Sequence, residues 1–505
     1  MEDRYWHRRA VLAAMGALAA APAGAVGRGT RAAGNPFALG VASGDPSQDG
    51  FVLWTRLIGA GLAPLAAGGV TVRHEVATDP AFRTIVRRGT TVAQSQSAHS
   101  VHAEVFGLPP GRPYWYRFHA LGAVSPVGRA TTVPATSDRL RLAVTSCQHW
   151  EQARFGAYRD VIAQAPDLVL QLGDYIYEQS YPDGVKVRSF GAPEPRDLDG
   201  YRRRHALYKT DPDLQAAHRV CPWLVTWDDH EVLNDYAGLA NRDRAPAAIF
   251  AARRAAAYQA YFEHMPIRPS LWRGVSAPRL YRGVDWGELA SLSLLDTRQY
   301  RSAPPCAPPG LARNVRLDDC AAAAAPAATI MGAAQERWLD RRLAQERRPW
   351  TLIGQQVFFA RLALDSAGRS TFSDQWDGYS GNRGRVLRGL SGPSVTGPVI
   401  LSGDVHSFWV NDLDDAAGRP VASEIVTSAL GAASPPAGRF GAVSANNTHI
   451  RFSDVEQAGY VLIDVRPGRL EADLRMIGDR RVVDSGVTSL ARFGTERGGR
   501  RLQPG

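Results

Sequence analysis

Four short apolar runs in this chain each end in metal-binding side chains, and that coincidence restricts the fold more than any other feature. Leu140-Arg-Leu-Ala-Val-Thr145, Asp167-Leu-Val-Leu-Gln-Leu172 and Trp223-Leu-Val-Thr226 lead into Ser146-Cys147-Gln148, Gly173-Asp174-Tyr175-Ile176-Tyr177 and Trp227-Asp228-Asp229-His230-Glu231. Pro398-Val-Ile-Leu401 leads into Gly403-Asp404-Val405-His406. Short runs with so little polar alternation fit strands buried on both faces. In open α/β sheets the carboxyl ends of such strands form the ligand crevice. Four polar clusters delivered to one rim make a polynuclear metal site.

The surrounding pattern is α/β. A helix is predicted between the first two runs, over Phe155-Gly-Ala-Tyr-Arg-Asp-Val-Ile-Ala163, and a shorter one over 211–218, with Asp211 as cap and Pro212 at the first helical position. Gly332 to Ala344 carries apolar residues at helical spacing, Trp350-Thr-Leu-Ile-Gly354 follows as a strand, and Tyr460–Val465 and Leu470–Arg475 read as later strands. Strand–helix alternation that turns to strands near the end fits a two-sheet α/β sandwich better than one doubly wound layer. Residues 36–135 carry short strands between turn signals and read as a separate β-sandwich; Leu108-Pro-Pro-Gly-Arg-Pro-Tyr-Trp-Tyr-Arg-Phe118 resembles a late-strand motif of fibronectin type III domains. The expected organisation is a signal at 1–30, this sandwich at 36–135, a catalytic domain at 138–485 and an Arg/Gly-rich tail at 486–505.

The donor types suggest the chemistry. Asp174 can bridge two cations, and the Tyr177 phenolate suits Fe3+. Cys147 and His406 add softer donors to the same metal, while Asp229 and Asp404 offer oxygen to a harder neighbour. Paired metals of this kind clamp the two oxygens of an in-line displacement, which favours phosphoester hydrolysis. Arg159, in the helix after Cys147, is the candidate phosphate-binding cation. Asp228, Asn234 and Trp376-Asp377-Gly378-Tyr379 are left as further candidates for the second site. Of the remaining cysteines, Cys306 and Cys320 flank a Pro-rich stretch and are the best disulfide pair, and Cys221 reads as a small buried residue.

Together with Phe37-Ala-Leu-Gly-Val-Ala-Ser-Gly-Asp-Pro46, Val52-Leu-Trp-Thr-Arg56 and Gln375-Trp-Asp-Gly-Tyr379, these motifs closely resemble the PhoD-type alkaline phosphatase and phosphodiesterase family, related to purple acid phosphatases and other metallophosphoesterases. The resemblance implies a metallophosphoesterase-like two-sheet sandwich preceded by a fibronectin-III-like domain, acting on a phosphoester substrate through a metal-activated hydroxide. It implies Fe3+ at Cys147, Asp174, Tyr177 and His406. Asp229 and Asp404 stand where purple acid phosphatases have Asn and His, a change that hardens the second site toward Ca2+. It also implies His230 as the group that protonates the leaving oxygen. Two alternatives stay open at this stage: a phospholipase D-like diesterase of the same fold, and a cell-surface binding protein with a structural metal.

The first residues fit export. Arg4, His7, Arg8 and Arg9 precede a short apolar run from Ala10 to Ala21, and Ala21-Pro22-Ala23 fits a small-x-small cleavage site. Arg8-Arg9-Ala10-Val11-Leu12 resembles the twin-arginine signal, so the twin-arginine export machinery is the expected partner and the location secreted or periplasmic. No other stretch is apolar enough to span a membrane once that signal is removed. The net charge of +10 is almost wholly arginine, Lys186 and Lys209 being the only lysines. No compact basic run with interleaved aromatics appears, which speaks against nucleic-acid binding.

Overall fold

The computed structural model describes residues 34–59, 69–181, 184–272, 274, 278–434, 443 and 446–505. The expected export signal lies outside them. The first three apolar runs form Leu140–Thr145, Leu168–Gln171 and Trp223–Val225, parallel neighbours at the centre of a ten-stranded sheet. Both faces are covered, which is why these runs lack polar alternation. Leu140, Leu142 and Val144 face a second sheet, while Ala143 faces a layer of helices. In that layer, Pro212–Val220 starts as predicted: the Asp211 carboxylate accepts from the backbone N–H groups of Asp213 and Leu214, with Pro212 at the first turn. Leu198–Tyr208 and Ala247–His264 are helices that the sequence reading did not identify.

The second sheet has seven strands among the described residues. In spatial order they are Arg282–Trp286, Ala290–Leu294, Trp350–Gly354, Pro398–Ser402, Pro420–Val426, Phe408–Asp414 and Ile450–Asp454. Ala290–Leu294 through Pro420–Val426 pair in parallel. Leu292, Leu352, Val399 and Leu401 pack against Leu142, Leu170, Leu224 and Val461 of the larger sheet. Helices Gly332–Ala344 and Ser380–Leu390 cover its outer face through Leu339, Leu343, Val386 and Leu390. The fold is the expected two-sheet α/β sandwich.

The N-terminal region forms the expected β-sandwich, and one of its layers continues into the large sheet. A five-stranded sheet containing Val70–Ala77 and Pro113–Ala120 packs through Val72, Val76, Tyr116 and Phe118 onto Phe51, Leu53, Val101 and Ala103. Those last residues lie on Gly50–Arg56 and Ser100–Val105, which continue the ten-stranded sheet through Val41–Ser47. The join is one parallel bridge, Gly44 to Trp223. Glycine is required there: a Cβ on Gly44 would come within 2.2 Å of the Pro266 carbonyl oxygen and 2.8 Å of that of Trp223. Asp45 fastens the same corner, accepting from Arg282 Nε at 2.7 Å and Arg268 N at 2.8 Å.

The opposite edge differs from expectation. Residues after 486, read as a tail, add Val487–Glu496 and Gln503–Pro504 to the large sheet. In Val487–Glu496 the buried residues, Phe493 to Thr495, are consecutive, so the sequence shows little of the alternation that marks a strand. Cys306 and Cys320 are disulfide-bonded, and Cys221 is buried and free. Gly44→Ala is expected to lower unfolding stability by about 1–3 kcal/mol through forced overpacking. An unchanged midpoint in urea denaturation would show that the corner yields freely.

Candidate metal centre

Register brings the candidate ligands together. Gln171 pairs with Thr145 on one side and Val225 on the other, so the three parallel strands end on one line. Cys147, Asp174 and Asp228 emerge two or three residues beyond it. Pro398–Ser402 ends at the same rim of the facing sheet, because Gly403 lies against Ser146, where an added Cβ would come within 2.7 Å of its Oγ. The crossing from strand to ligand is abrupt. Cys147, Asp174, Asp404 and His406 have φ of 56°, 55°, 70° and 52°, and Asp235 has 59°. Non-glycine residues rarely adopt this left-handed region, and their clustering here marks backbone held in place by its surroundings.

Glu231 does much of that holding. Its buried carboxylate accepts from the backbone N–H groups of Asp174 at 3.1 Å, Tyr175 at 2.6 Å and Asp228 at 2.8 Å, tying two ligand loops together. It is therefore a brace rather than a ligand. Burial raises its pKa to about 8.

Two adjoining clusters result. In the first, ligand atoms of Cys147, Asp174 and His406 lie within 4.8 Å of one another. The Tyr177 hydroxyl stands 2.9 Å from both Asp174 Oδ2 and His406 Nε2. His406 Nδ1 is 2.9 Å from the Ala433 carbonyl oxygen, which makes Nδ1 the N–H donor and leaves the Nε2 lone pair facing the cluster. Asp228, Asp229 and Asp404 form a second triad, and Asp229 also joins Asp235 and Asp374. Arg298 lies among them, wholly buried, with Nε 2.5 Å from Asp228 and Nη1 2.8 Å from Asp374, and Nη2 facing Asp404 at 3.4 Å.

The electrostatics fit a multivalent cation. The carboxylates of Asp174, Asp228, Asp229, Asp235, Asp374 and Asp404 outnumber the cations Arg298, Arg301 and His230, and an unpaired buried carboxylate costs several kcal/mol. Burial and then neighbouring carboxylates push the Cys147 thiol and the Tyr177 phenol well above their ordinary values. Burial raises Asp174 and Asp228 well above theirs, and Asp235 and Asp404 to about 7. Asp229 is the exception: burial raises its pKa, but Arg298 and His230 pull it below the usual range. Its Oδ1 is buried with no hydrogen-bond partner. A bound cation would satisfy that oxygen and let the thiol and phenol ionise.

His230 borders both clusters. Its Nδ1 is 2.6 Å from Glu178 Oε2, its Nε2 is 3.1 Å from the Tyr181 hydroxyl, and its ring stacks on Tyr177 at 4.1 Å. Burial lowers its pKa, but Tyr181, Glu178, Asp229 and Asp174 outweigh that and hold it well above the ordinary imidazole value.

Arg159 is not in this assembly. Its side chain is 52% exposed and pairs with Asp213 and Asp484, whereas Arg298 is 0% exposed. The sequence offered Arg159 for its nearness to Cys147 in the chain, but its position in the helix points it outward. Asn234 contributes its backbone N–H to Glu178. Within Trp376–Tyr379, Asp377 receives the Leu362 N–H and pairs with Arg383, so it is occupied elsewhere. The residues just before it, Asp374 and Gln375, reach the cluster instead, Gln375 through Asp404 Oδ2 at 2.8 Å. Arg298 follows the buried strand Ala290–Leu294 by four residues, the distance at which His406 follows Pro398–Ser402, but it is no metal donor and so lacked the donor signal. Asp374 follows the three-residue strand Ser370–Phe372, too short to read as a buried run, and Asp235 lies in a loop.

A model described as PhoD-like phosphatase matches residues 142–474, and one described as PhoD-like phosphatase, N-terminal domain, matches residues 20–134. The chain belongs to the PhoD-like phosphatase family. Alkaline phosphatase D of Bacillus subtilis (strain 168) is 38% identical over 470 residues, covering 88% of this chain and 78% of that protein. A solved structure described as "Structure of PhoD" superposes with a TM-score of 0.86 at 37% identity, over 93% of this chain and 92% of the other. This PhoD-like protein is a metal-dependent phosphoester hydrolase, which sets aside the binding-protein alternative. Among its described residues no helix is long and apolar enough to cross a membrane.

Glu231→Gln keeps the shape of the brace but turns an NH2 group toward backbone donors. Leaving one unsatisfied costs about 1–3 kcal/mol. The expected result is a lower melting temperature together with substoichiometric metal by elemental analysis. Full metal content at unchanged stability would remove Glu231 from this role.

Proposed function

We propose that Cys147, Asp174, Tyr177 and His406 hold Fe3+, and that Asp174, Asp229 and Asp404, with Asp228, Asp235 and Asp374 beside them, hold Ca2+. The observation that carries this reading is the Tyr177 hydroxyl, equidistant from Asp174 and His406 in the cluster that contains Cys147. Phenolate, thiolate, imidazole and carboxylate together suit a trivalent iron, and a set of carboxylates alone suits a hard divalent ion. Bound there, the metals supply a water-derived nucleophile at neutral pH and take up charge on the phosphoryl oxygens.

The protein's own residues do the rest. Glu178 fixes the His230 ring through Nδ1 and stabilises its charged form, so the second proton sits at Nε2. As the P–O bond breaks, its electron pair stays on the leaving oxygen and His230 Nε2 delivers the proton to it. Arg298 orients Asp228 and Asp374 while remaining out of reach of solvent. Arg159 has no part in the chemistry.

We also propose that Arg8-Arg9 in residues 1–30 directs export of the folded protein by the twin-arginine route. The five-stranded N-terminal sheet then serves as a buttress rather than a catalytic unit. Arg8→Lys with Arg9→Lys is expected to retain the enzyme in the cytoplasmic fraction, and export of that variant at the normal rate would rule out the route.

Turnover of p-nitrophenyl phosphate and bis-p-nitrophenyl phosphate by the Ca2+-supplemented protein tests the reading, with phosphatidylcholine vesicles alongside to detect lipid preference. Asp174→Asn should lose more than the ~10–100-fold typical of an outer-shell change, together with its metals. Glu178→Gln should slow hydrolysis of an alkyl phosphate by about 10²–10⁴-fold and of a nitrophenyl phosphate far less, because only the poor leaving group needs the proton. Equal slowing of both esters would remove His230 from acid catalysis.

A further inference from the structure

A proton supplied by His230 has to cross from an enclosed imidazole to the substrate. Both ring nitrogens are already engaged: Nδ1 faces Glu178 Oε2 at 2.6 Å, and Nε2 faces the Tyr181 hydroxyl at 3.1 Å. The side chains of His230 and Glu178 are 6% and 0% exposed, whereas Tyr181 is only partly buried. Glu178, His230 and Tyr181 thus form a hydrogen-bonded chain that runs from the interior outward and ends in the phenol.

Packing seats that phenol beside the first cluster. The Tyr181 ring meets Tyr177 edge-on with centroids 6.4 Å apart and lies 5.3 Å from His149, which itself lies 4.6 Å from Tyr177. Tyr177 carries the hydroxyl that stands between Asp174 and His406. The backbone leading to Tyr181 is fastened from several sides. His149 Nδ1 accepts from the Glu151 N–H at 3.2 Å, so its Nε2 donates to the Gln179 carbonyl at 3.2 Å. The Gln179 side chain accepts from Arg242 at 2.6 Å, and the Ser180 hydroxyl donates to Glu151. A side chain on so braced a segment holds its hydroxyl in one place. A tyrosine hydroxyl can accept and donate together. When His230 Nε2–H donates to it, the phenol's own hydrogen remains for a further acceptor.

We infer that Tyr181 touches the leaving oxygen and relays to it the proton that His230 supplies. This rests on the reading that the metal centre hydrolyses phosphoesters with His230 as the acid. As the P–O bond breaks, its electron pair stays on the leaving oxygen, which takes the Tyr181 hydrogen. The electron pair of the broken O–H bond takes the His230 Nε2 proton, and the pair of the N–H bond stays on the imidazole. His230 ends neutral, Tyr181 ends as the phenol it was, and the leaving group departs as an alcohol. Tyr181 is then a catalytic residue, and hydrolysis of esters with poor leaving groups depends on its hydroxyl.

Tyr181→Phe removes the hydroxyl and keeps the ring that packs on Tyr177 and His149. In the metal-loaded enzyme it should slow hydrolysis of an alkyl phosphate by about 10²–10⁴-fold and of p-nitrophenyl phosphate far less, with full metal content by elemental analysis. Combined with Glu178→Gln it should cost little more than either change alone, because members of one relay fail as a unit. Losses that multiply in the double variant, or equal slowing of both esters, would reveal a merely structural role and overturn the inference. An alkyl-ester rate unchanged or raised in Tyr181→Phe would mean that the phenol gives way and His230 acts directly. That result also sinks the relay, but it leaves the hydrolytic reading intact. A wild type that turns over neither ester would remove both.

Discussion

Arg298 is the counter-charge on which the centre depends. Parallel strands ending on one line bring carboxylates from separate segments into a volume that excludes water, and those carboxylates repel one another. A guanidinium wholly enclosed by Asp228, Asp374 and Asp404 offsets part of that repulsion and, because its donors are planar and fixed, sets where each acid points. Removing one member of such a group would leave a buried charge unpaired, at a cost of about 3–5 kcal/mol. Glu231 performs the complementary task on the backbone, gathering amides where Arg298 gathers acids. Of the left-handed residues at the rim, Asp174 is held by Glu231 and Asp404 by Arg298.

Much of this was legible in the sequence. Buried strands announce themselves by uninterrupted apolar runs, and Cys147, Asp174, Tyr177 and His406 follow such runs within six residues. The outcome for Arg159 shows where chain proximity misleads: a helix turns residues outward as readily as inward, and the sequence gives no sign of which face meets the strand ends. Arg298, Asp235 and Asp374 were missed for other reasons. Arg298 does follow a buried run, Ala290–Leu294, but an arginine there does not read as a metal donor; the strand before Asp374 is only three residues long, and Asp235 is an isolated acid in a loop. Helix Ala247–His264 was overlooked because its small alanines blur the apolar stripe.

The N-terminal region shows that a sandwich read correctly from its strands can still share a layer with the neighbouring sheet. The strands between 36 and 135 exist, yet some pack as a separate layer and others extend the catalytic sheet. Pairing Gly44 with Trp223 needs only one position without a side chain, and nothing in the local strand pattern marks it as a junction. The Arg/Gly-rich end was read as a tail because an exposed edge hairpin has little to bury.

One sheet thus contains strands from Val41 near its one edge and from Gln503 at the other. Contacts of such long sequence separation form late and slowly. The candidate residues from Cys147 to Tyr177 are synthesised early, but Asp404 and His406, which face them, and the edge strands beyond residue 477 arrive late. A growing chain therefore carries a half-assembled cluster for much of its synthesis. The order of manufacture itself delays a working mouth until the protein is nearly whole.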